Sequence, residues 1–195
     1  MSDCSLTVLG TSAQVPTTNR NHSGYFLRWN NEGILIDPGE GTQRQIRKFG
    51  IKPSKITKII ISHFHGDHCL GLPGVIQRLC LDGIKHTLQI YFPESGFQFF
   101  QNLLNASDYK GGIDIEANPI NKDGTIFEDS QLQISAQQLI HPIDCFGFRF
   151  QGKGRFNLLP ERLTERNIKG KQVGELVKKG ILENEKGLHR LDDVS

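Results

Sequence analysis

The chain has 195 residues, 36% hydrophobic and 23% charged, enough to bury one sizeable core. Its mean hydropathy of −0.37, with no apolar run near the roughly 18 residues that a membrane helix needs, excludes a helical membrane protein. The formal net charge is +2, but residues 1–148 carry −2 and residues 149–195 carry +4. The basic excess at the C-terminal end suits a polyanionic partner as well as an ordinary solvated helix.

The first 65 residues read as short strands separated by turns. Leu6–Leu9, Gly24–Trp29 and Ile34–Asp37 are β-rich and bounded by Gly, Asn or Pro. Gln43–Phe49 suits one or two helical turns ending at Gly50, and Lys58–Ser62, with three consecutive isoleucines, suits a strand buried on both faces. A helix is expected after Pro73, through Val75, Ile76, Leu79 and Cys80 to Gly83, followed by a strand over Thr87–Phe92. Phe97, Phe100, Leu103 and Leu104 then mark one face of a helix, read as core packing in preference to a base-stacking platform. Ile113–Glu116, Gln131–Ala136 and Phe146–Phe150 are further strand candidates. Beyond Gly154 the character changes: Glu161–Asn167 and Gln172–Lys179 are short, polar and basic, set among glycines. The layout predicts an α/β layered domain over 1–154 and a charged appendage and linker over 155–195.

Cys4, Cys69, Cys80 and Cys145 are scattered and form no Cys-x-x-Cys pair, so all four are read as free thiols, with Cys69 a small buried hydrophobe. The N-terminus lacks the basic and apolar regions of a secretory signal, which points to a soluble cytoplasmic protein.

The chemistry is concentrated in Ser62-His63-Phe64-His65-Gly66-Asp67-His68, directly after the buried strand. A strand end delivers side chains into a cleft, and a loop containing Gly can fold so that several converge. Packing does not call for such density, because each buried His would need its own hydrogen-bond partner. Imidazole with carboxylate suits zinc or manganese better than calcium or magnesium. His63 and His65 are spaced to reach one metal, and Asp67 and His68 a second. Two cations about 3.5–4 Å apart clamp a water and lower its pKa towards 7. His86 and His189 fit no such pattern and are read as surface residues.

His63-x-His65-x-Asp67-His68 after a strand resembles the signature of the metallo-β-lactamase superfamily. Leu9-Gly10-Thr11-Ser12 through Pro16-Thr17 to Arg20-Asn21, and Asp37-Pro38-Gly39-Glu40-Gly41-Thr42-Gln43, are similar to the ribonuclease Z branch, the tRNA 3′-processing endonucleases. Gly71-Leu72-Pro73-Gly74 and His141-Pro142 through Gly147-Phe148-Arg149 fit the same branch, and the resemblance covers the whole chain. It implies an αββα sandwich and a zinc-dependent endonuclease, with two zinc ions per complete site (manganese as an alternative), that removes the 3′ trailer from precursor tRNA. By the same resemblance His63, His65 and His141 bind one metal, and Asp67 and His68 bind the other. Asp67 is also the candidate for catalytic proton handling. Asp37 supports the metal loop through hydrogen bonds, the alternative being an ordinary turn residue before Pro38. His22 lies in a loop near the cleft.

The resemblance also implies features that this sequence lacks. The family's second half supplies a bridging aspartate, a further histidine ligand and a histidine thought to protonate the leaving group. His189, Asp192 and Asp193 are read instead as parts of a solvated linker. Five ligands therefore stand where seven are expected, and one sheet face should lack its partner. The stretch Arg155–Gly180 occupies the place of the family's tRNA-gripping arm, without its Gly-Pro tip. Arg162, Arg166, Lys169, Lys171, Lys178 and Lys179 are its candidate RNA contacts. Three readings follow: the tRNA-processing enzyme, a small-substrate phosphodiesterase of the same superfamily, and an inactive half-enzyme or one completed by a second polypeptide or a second copy of the chain.

Overall fold

The computed structural model describes residues 4–108, 112–153 and 158–195. The chain divides into two compact units, residues 1–151 and 152–195. The division expected at 154/155, and Arg155 at the start of the arm-like stretch, lie outside the described residues. Among the described residues no helix is long and apolar enough to cross a membrane.

The first unit is built on a six-stranded sheet whose spatial order follows the chain. β1 (Cys4–Gly10), β2 (Gly24–Trp29) and β3 (Glu32–Ile36) run antiparallel, and β4 (Lys58–Ile60), β5 (Leu88–Pro93) and β6 (Ile115–Ile120) add in parallel. Parallel neighbours need crossovers. α1 (Thr42–Lys48), α2 (Gly66–Cys69), α3 (Leu72–Leu81) and α4 (Phe97–Leu104) lie within those crossovers. Ile46, Val75, Ile76, Leu79 and Phe100 from the helices pack with Leu35, Ile59, Ile90 and Phe92 from the sheet. The expected stripe on α4 is therefore core at Phe100, with Leu103 and Leu104 half-buried against it, but Phe97 is 47% exposed.

The run of isoleucines in and after β4 serves both faces, as its lack of alternation predicted. Ile59 and Ile61 join the helix-side core, whereas Ile60 joins a second cluster with Leu27, Ile34, Tyr91, Leu132, Ile134 and Phe146. That second cluster is sealed by a three-stranded sheet of β7 (Gly124–Glu128), β8 (Leu132–Gln138) and β9 (Phe146–Gly152), with β9 running one residue past the unit division. The expectation of an unpartnered sheet face is thus corrected for most of the sheet. What remains open is the β1 edge, where Leu6 is 59% and Val8 43% exposed.

The second unit corrects the reading of a linker. α5 (Pro160–Glu165), α6 (Lys171–Lys179) and the hairpin β10 (Ile181–Asn184)–β11 (Gly187–Arg190) enclose Ile168, Leu176, Leu182, Leu191 and Val194. His189 is buried and its Nε2 lies 2.9 Å from Asn184 Oδ1. Asp193 Oδ2 accepts the Arg190 backbone N–H at 2.8 Å. His86 is likewise half-buried, with Nε2 2.8 Å from the Ile56 carbonyl oxygen. Isolated apolar residues, Leu176 on α6 and the others on the hairpin and the segments around it, supply this small core, a weaker signal than a continuous stripe.

Candidate metal centre

β3 and β4 are parallel neighbours, so the loops leaving their C-terminal ends emerge side by side. One carries Asp37 and the other His63 to His68. The two loops then touch through backbone: a Cβ added at Gly39 would lie 2.1 Å from the Asp67 carbonyl oxygen. Any larger residue there would push the metal loop away. The His22 loop packs against the same glycine, whose N–H donates to the Ser23 carbonyl at 3.4 Å.

Asp37 has φ 49, a left-handed conformation uncommon outside Gly and Asn. It turns the carboxylate under the metal loop. Oδ1 accepts the Ser62 backbone N–H at 2.7 Å, and Oδ2 accepts the Ser62 hydroxyl at 2.8 Å. His68 Nδ1 lies 2.9 Å from the same Oδ2, and His63 Nδ1 lies 2.9 Å from Ser62 Oγ. An ionised carboxylate only accepts, so these contacts fix the protons. His68 Nδ1–H donates to Asp37, Ser62 donates to Asp37, and His63 Nδ1–H donates to Ser62. In their neutral forms both imidazoles then keep an Nε2 lone pair, the form that binds a cation. The sequence assigns Ser62 no role, because a hydroxyl that relays a proton preference leaves no mark in residue spacing.

The ligating atoms of His63, His65 and His141 lie within 4.8 Å of one another. His141 reaches the group from the turn after β8, closed by Leu139 N–H donating to the Cys145 carbonyl at 2.8 Å, while Phe146 N–H donates to the Ser62 carbonyl at 3.0 Å. The second sheet is thereby tied to the metal loop. The His68 ring lies 4.2 Å from the His63 ring, tilted by 45°, and its Nε2 lies 3.4 Å from Asp67 Oδ2. The structure therefore gathers all five residues singled out as ligands, with Asp37 beneath them.

The electrostatics suit a cation. Burial, with His68 adding to it, pushes His63 down from 6.5 to about 4, so the ring stays neutral at neutral pH. Burial also acts to lower His68, but the hydrogen bond and charge of Asp37 and the charge of Asp67 outweigh it and hold it above 6.5. Asp67 is buried, and its Oδ1 has no hydrogen-bond partner among the described residues. A bare buried carboxylate oxygen costs several kcal/mol unless something satisfies it, and a metal ion would. The residues fit a bound cation on that observation. Cys69 is not a competing ligand: burial, then Asp37 and Asp67, push its thiol up to about 12, and Sγ donates to the His65 carbonyl at 3.3 Å.

The six basic candidates belong to the second unit. Arg162 lies on α5 and donates to the Ser195 carbonyl at 3.2 Å, and Arg166 caps α5 3.7 Å from Glu165. Lys169 and Lys171 bracket the start of α6, and Lys178 and Lys179 end it, with Lys179 held 2.6 Å from Glu175.

Comparison with known proteins agrees with this geometry. The chain is 46% identical over 183 residues to a Ribonuclease Z of Nocardia farcinica, covering 93% of this chain and 60% of that one. It is 42% identical over 195 residues to a Ribonuclease Z of Chlamydia muridarum, covering 100% and 64%. It thus spans roughly three fifths of the length of these relatives. Among solved structures, human tRNase Z, short form, superposes with a TM-score of 0.70 at 31% identity, over 76% of this chain and 64% of that one. Residues 17–142 match the family model of the metallo-beta-lactamase superfamily, and with the strand-end histidines and buried carboxylates in place, this chain belongs to that superfamily.

Proposed function

We propose that this chain carries the metal-binding half of a zinc-dependent ribonuclease Z-type site, which hydrolyses the phosphodiester that joins the 3′ trailer to precursor tRNA. The observation that carries the proposal is the convergence of His63, His65 and His141 beside the unsatisfied Asp67 carboxylate. It stands in a chain 42–46% identical to proteins named Ribonuclease Z. When bound, a metal pair of this kind supplies hydroxide at neutral pH and polarises the phosphate. His63, His65 and His141 would hold one ion, and Asp67 and His68 the other. An imidazole and carboxylate set of this kind favours zinc, with manganese as the alternative. Asp37 and Ser62 orient the imidazoles, and Asp67 would take a proton from the nucleophile, the role the family resemblance implies for it. The basic residues of the second unit, Arg162 to Lys179, would meet tRNA phosphates, and a cytoplasmic setting follows from that substrate.

The sequence has no counterpart of the family's bridging aspartate or of its leaving-group acid. A polypeptide carrying the remaining length of a ribonuclease Z would supply them. General acid help alone is worth about 10²–10⁴-fold. The test uses end-labelled precursor tRNA with zinc or manganese. The 195-residue chain alone should cleave very slowly, and adding a polypeptide that carries the rest of a ribonuclease Z should restore 3′ cleavage. Asp67→Ala should abolish the restored activity. Restored cleavage that survives Asp67→Ala would refute the assignment.

A further inference from the structure

Beside the metal centre lies a cavity of about 530 Å³ that none of the roles described so far uses. Its lining includes His65 and His141 together with Phe64, Phe99, Ser95 and Asp144. Two of the candidate ligands thus open directly onto it.

The aromatic wall is anchored from the core outwards. Phe100 stacks on Phe92 at 4.3 Å, Phe92 meets Phe64 edge-on at 6.0 Å, and Phe64 lies 6.0 Å from Phe99 with the rings tilted by 32°. Phe64 is seated against Gly96, where an added Cβ would come within 2.0 Å of the ring. The final ring in the series, Phe99, is 58% exposed although it belongs to a helix whose neighbour Phe100 is fully buried. An anchored aromatic face ending in an exposed ring offers a flat apolar surface to a planar group. The exposed polar residues Ser95 and Asp144 also line the cavity, together with Pro142 and Ile143. A carboxylate there repels a second phosphate but accepts hydrogen bonds from an amino group.

We infer that this cavity receives the nucleobase adjoining the scissile phosphate, stacked on Phe99 and Phe64, with Asp144 favouring a base that bears an exocyclic amino group. The inference rests on the nuclease reading above, because it takes the phosphate to sit at His65 and His141. Base–aromatic stacking is tolerant of sequence, since every base has a π-face, and Asp144 supplies what preference there is.

The experiment measures binding. The full chain with zinc is titrated with a hairpin RNA that mimics an acceptor stem and ends in an already cleaved 3′ hydroxyl. Its terminal unpaired nucleotide is 2-aminopurine, uridine or an abasic residue. Binding should quench 2-aminopurine fluorescence. Phe99→Ala should remove the quenching and weaken binding of the base-bearing RNA about tenfold, the loss expected for one stack, while leaving the abasic RNA unchanged. Phe99→Trp should restore both signals. Asp144→Asn should narrow the preference for 2-aminopurine over uridine. Thermal unfolding of each variant checks that the fold is intact. If wild type binds these RNAs but Phe99→Ala binds them equally well, or weakens the base-bearing and abasic forms alike, the base site is refuted and the nuclease reading stands. If wild type binds none of them, the base site is refuted, and the nuclease reading is decided separately by the complemented cleavage assay.

Discussion

Asp37→Asn tests the proton arrangement of the centre more sharply than removal of any ligand. The native carboxylate accepts from Ser62 N–H, Ser62 Oγ–H and His68 Nδ1–H at 2.7–2.9 Å. An asparagine of the same shape keeps an oxygen for Ser62 N–H but presents an NH₂ group where Oδ2 stood. That NH₂ donates to His68 Nδ1 and to Ser62 Oγ. His68 must then carry its proton on Nε2, and Ser62, no longer able to donate to residue 37, turns its proton towards His63 Nδ1. Both rings end with a hydrogen where a metal would bind. Loss of such an outer partner typically costs about 10–100-fold in metal affinity. Asp37→Ala removes the hydrogen bonds outright and leaves Ser62 N–H unpaired, at about 1–3 kcal/mol of stability. The expected result is a separation: Asp37→Asn melts close to wild type but binds zinc at least tenfold more weakly, whereas Asp37→Ala loses both. Competition with a chelating dye and thermal unfolding in the metal-free state read the two quantities. An Asp37→Asn protein that binds zinc as wild type does would refute the assigned proton positions.

The metal stoichiometry should be close to one tightly held zinc per chain, lost in His63→Ala, His65→Ala or His141→Ala, with a second ion weak; elemental analysis after gel filtration checks it. The metal-free protein should lose stability as pH falls from 6.5 towards 4. The unfolded chain takes up the His63 proton at 6.5, and the folded chain only near 4. His68 acts with the opposite sign: raised above 6.5, its contribution is present at lower pH and lost as pH rises through its folded value. Urea unfolding with a chelator present should therefore show a smaller acid loss in His63→Asn than in wild type. Gly96→Ala should destabilise the fold by about 1–3 kcal/mol, because the new methyl meets the Phe64 ring at 2.0 Å and that ring has core behind it. The open β1 edge, with Leu6 and Val8 exposed, should make the isolated chain self-associate, which sedimentation across a concentration series would show.

Much of the centre was legible because its residues are close in sequence. His63, His65, Asp67 and His68 lie within six positions after an apolar strand, and a strand end with a Gly-containing loop leaves few ways to arrange them. Asp37 and His141 were reached only through the resemblance, because nothing in their own neighbourhoods says that they meet His68 and His65. Ser62 escaped notice for a different reason. Its role is to transmit a proton preference between Asp37 and His63, and that depends on hydroxyl geometry that no spacing rule encodes. Phe99 stands outside the apolar face of its helix, so a periodicity argument that correctly finds Phe100 passes over it.

The fold divides in the same way. β2, β4 and α3 were found near their true limits because each carries a dense apolar pattern. β7 was missed: Gly124–Glu128 offers only Ile126 and Phe127 between polar residues, and it becomes a strand by pairing with β8. The second unit was misread because its core is assembled from one or two apolar residues per element, with Ile168, Leu176, Leu182, Leu191 and Val194 drawn from a span that reads as charged. His189 shows the consequence for assigning function. In a solvated linker it would be a free titrating group, but in the hairpin it is buried and bonded to Asn184, so its chemistry is already committed to the structure. The buried Asp67 differs at that one point. Its Oδ1 lacks any such partner among the described residues, and the unmet demand, more than the histidine count, marks where a cation belongs.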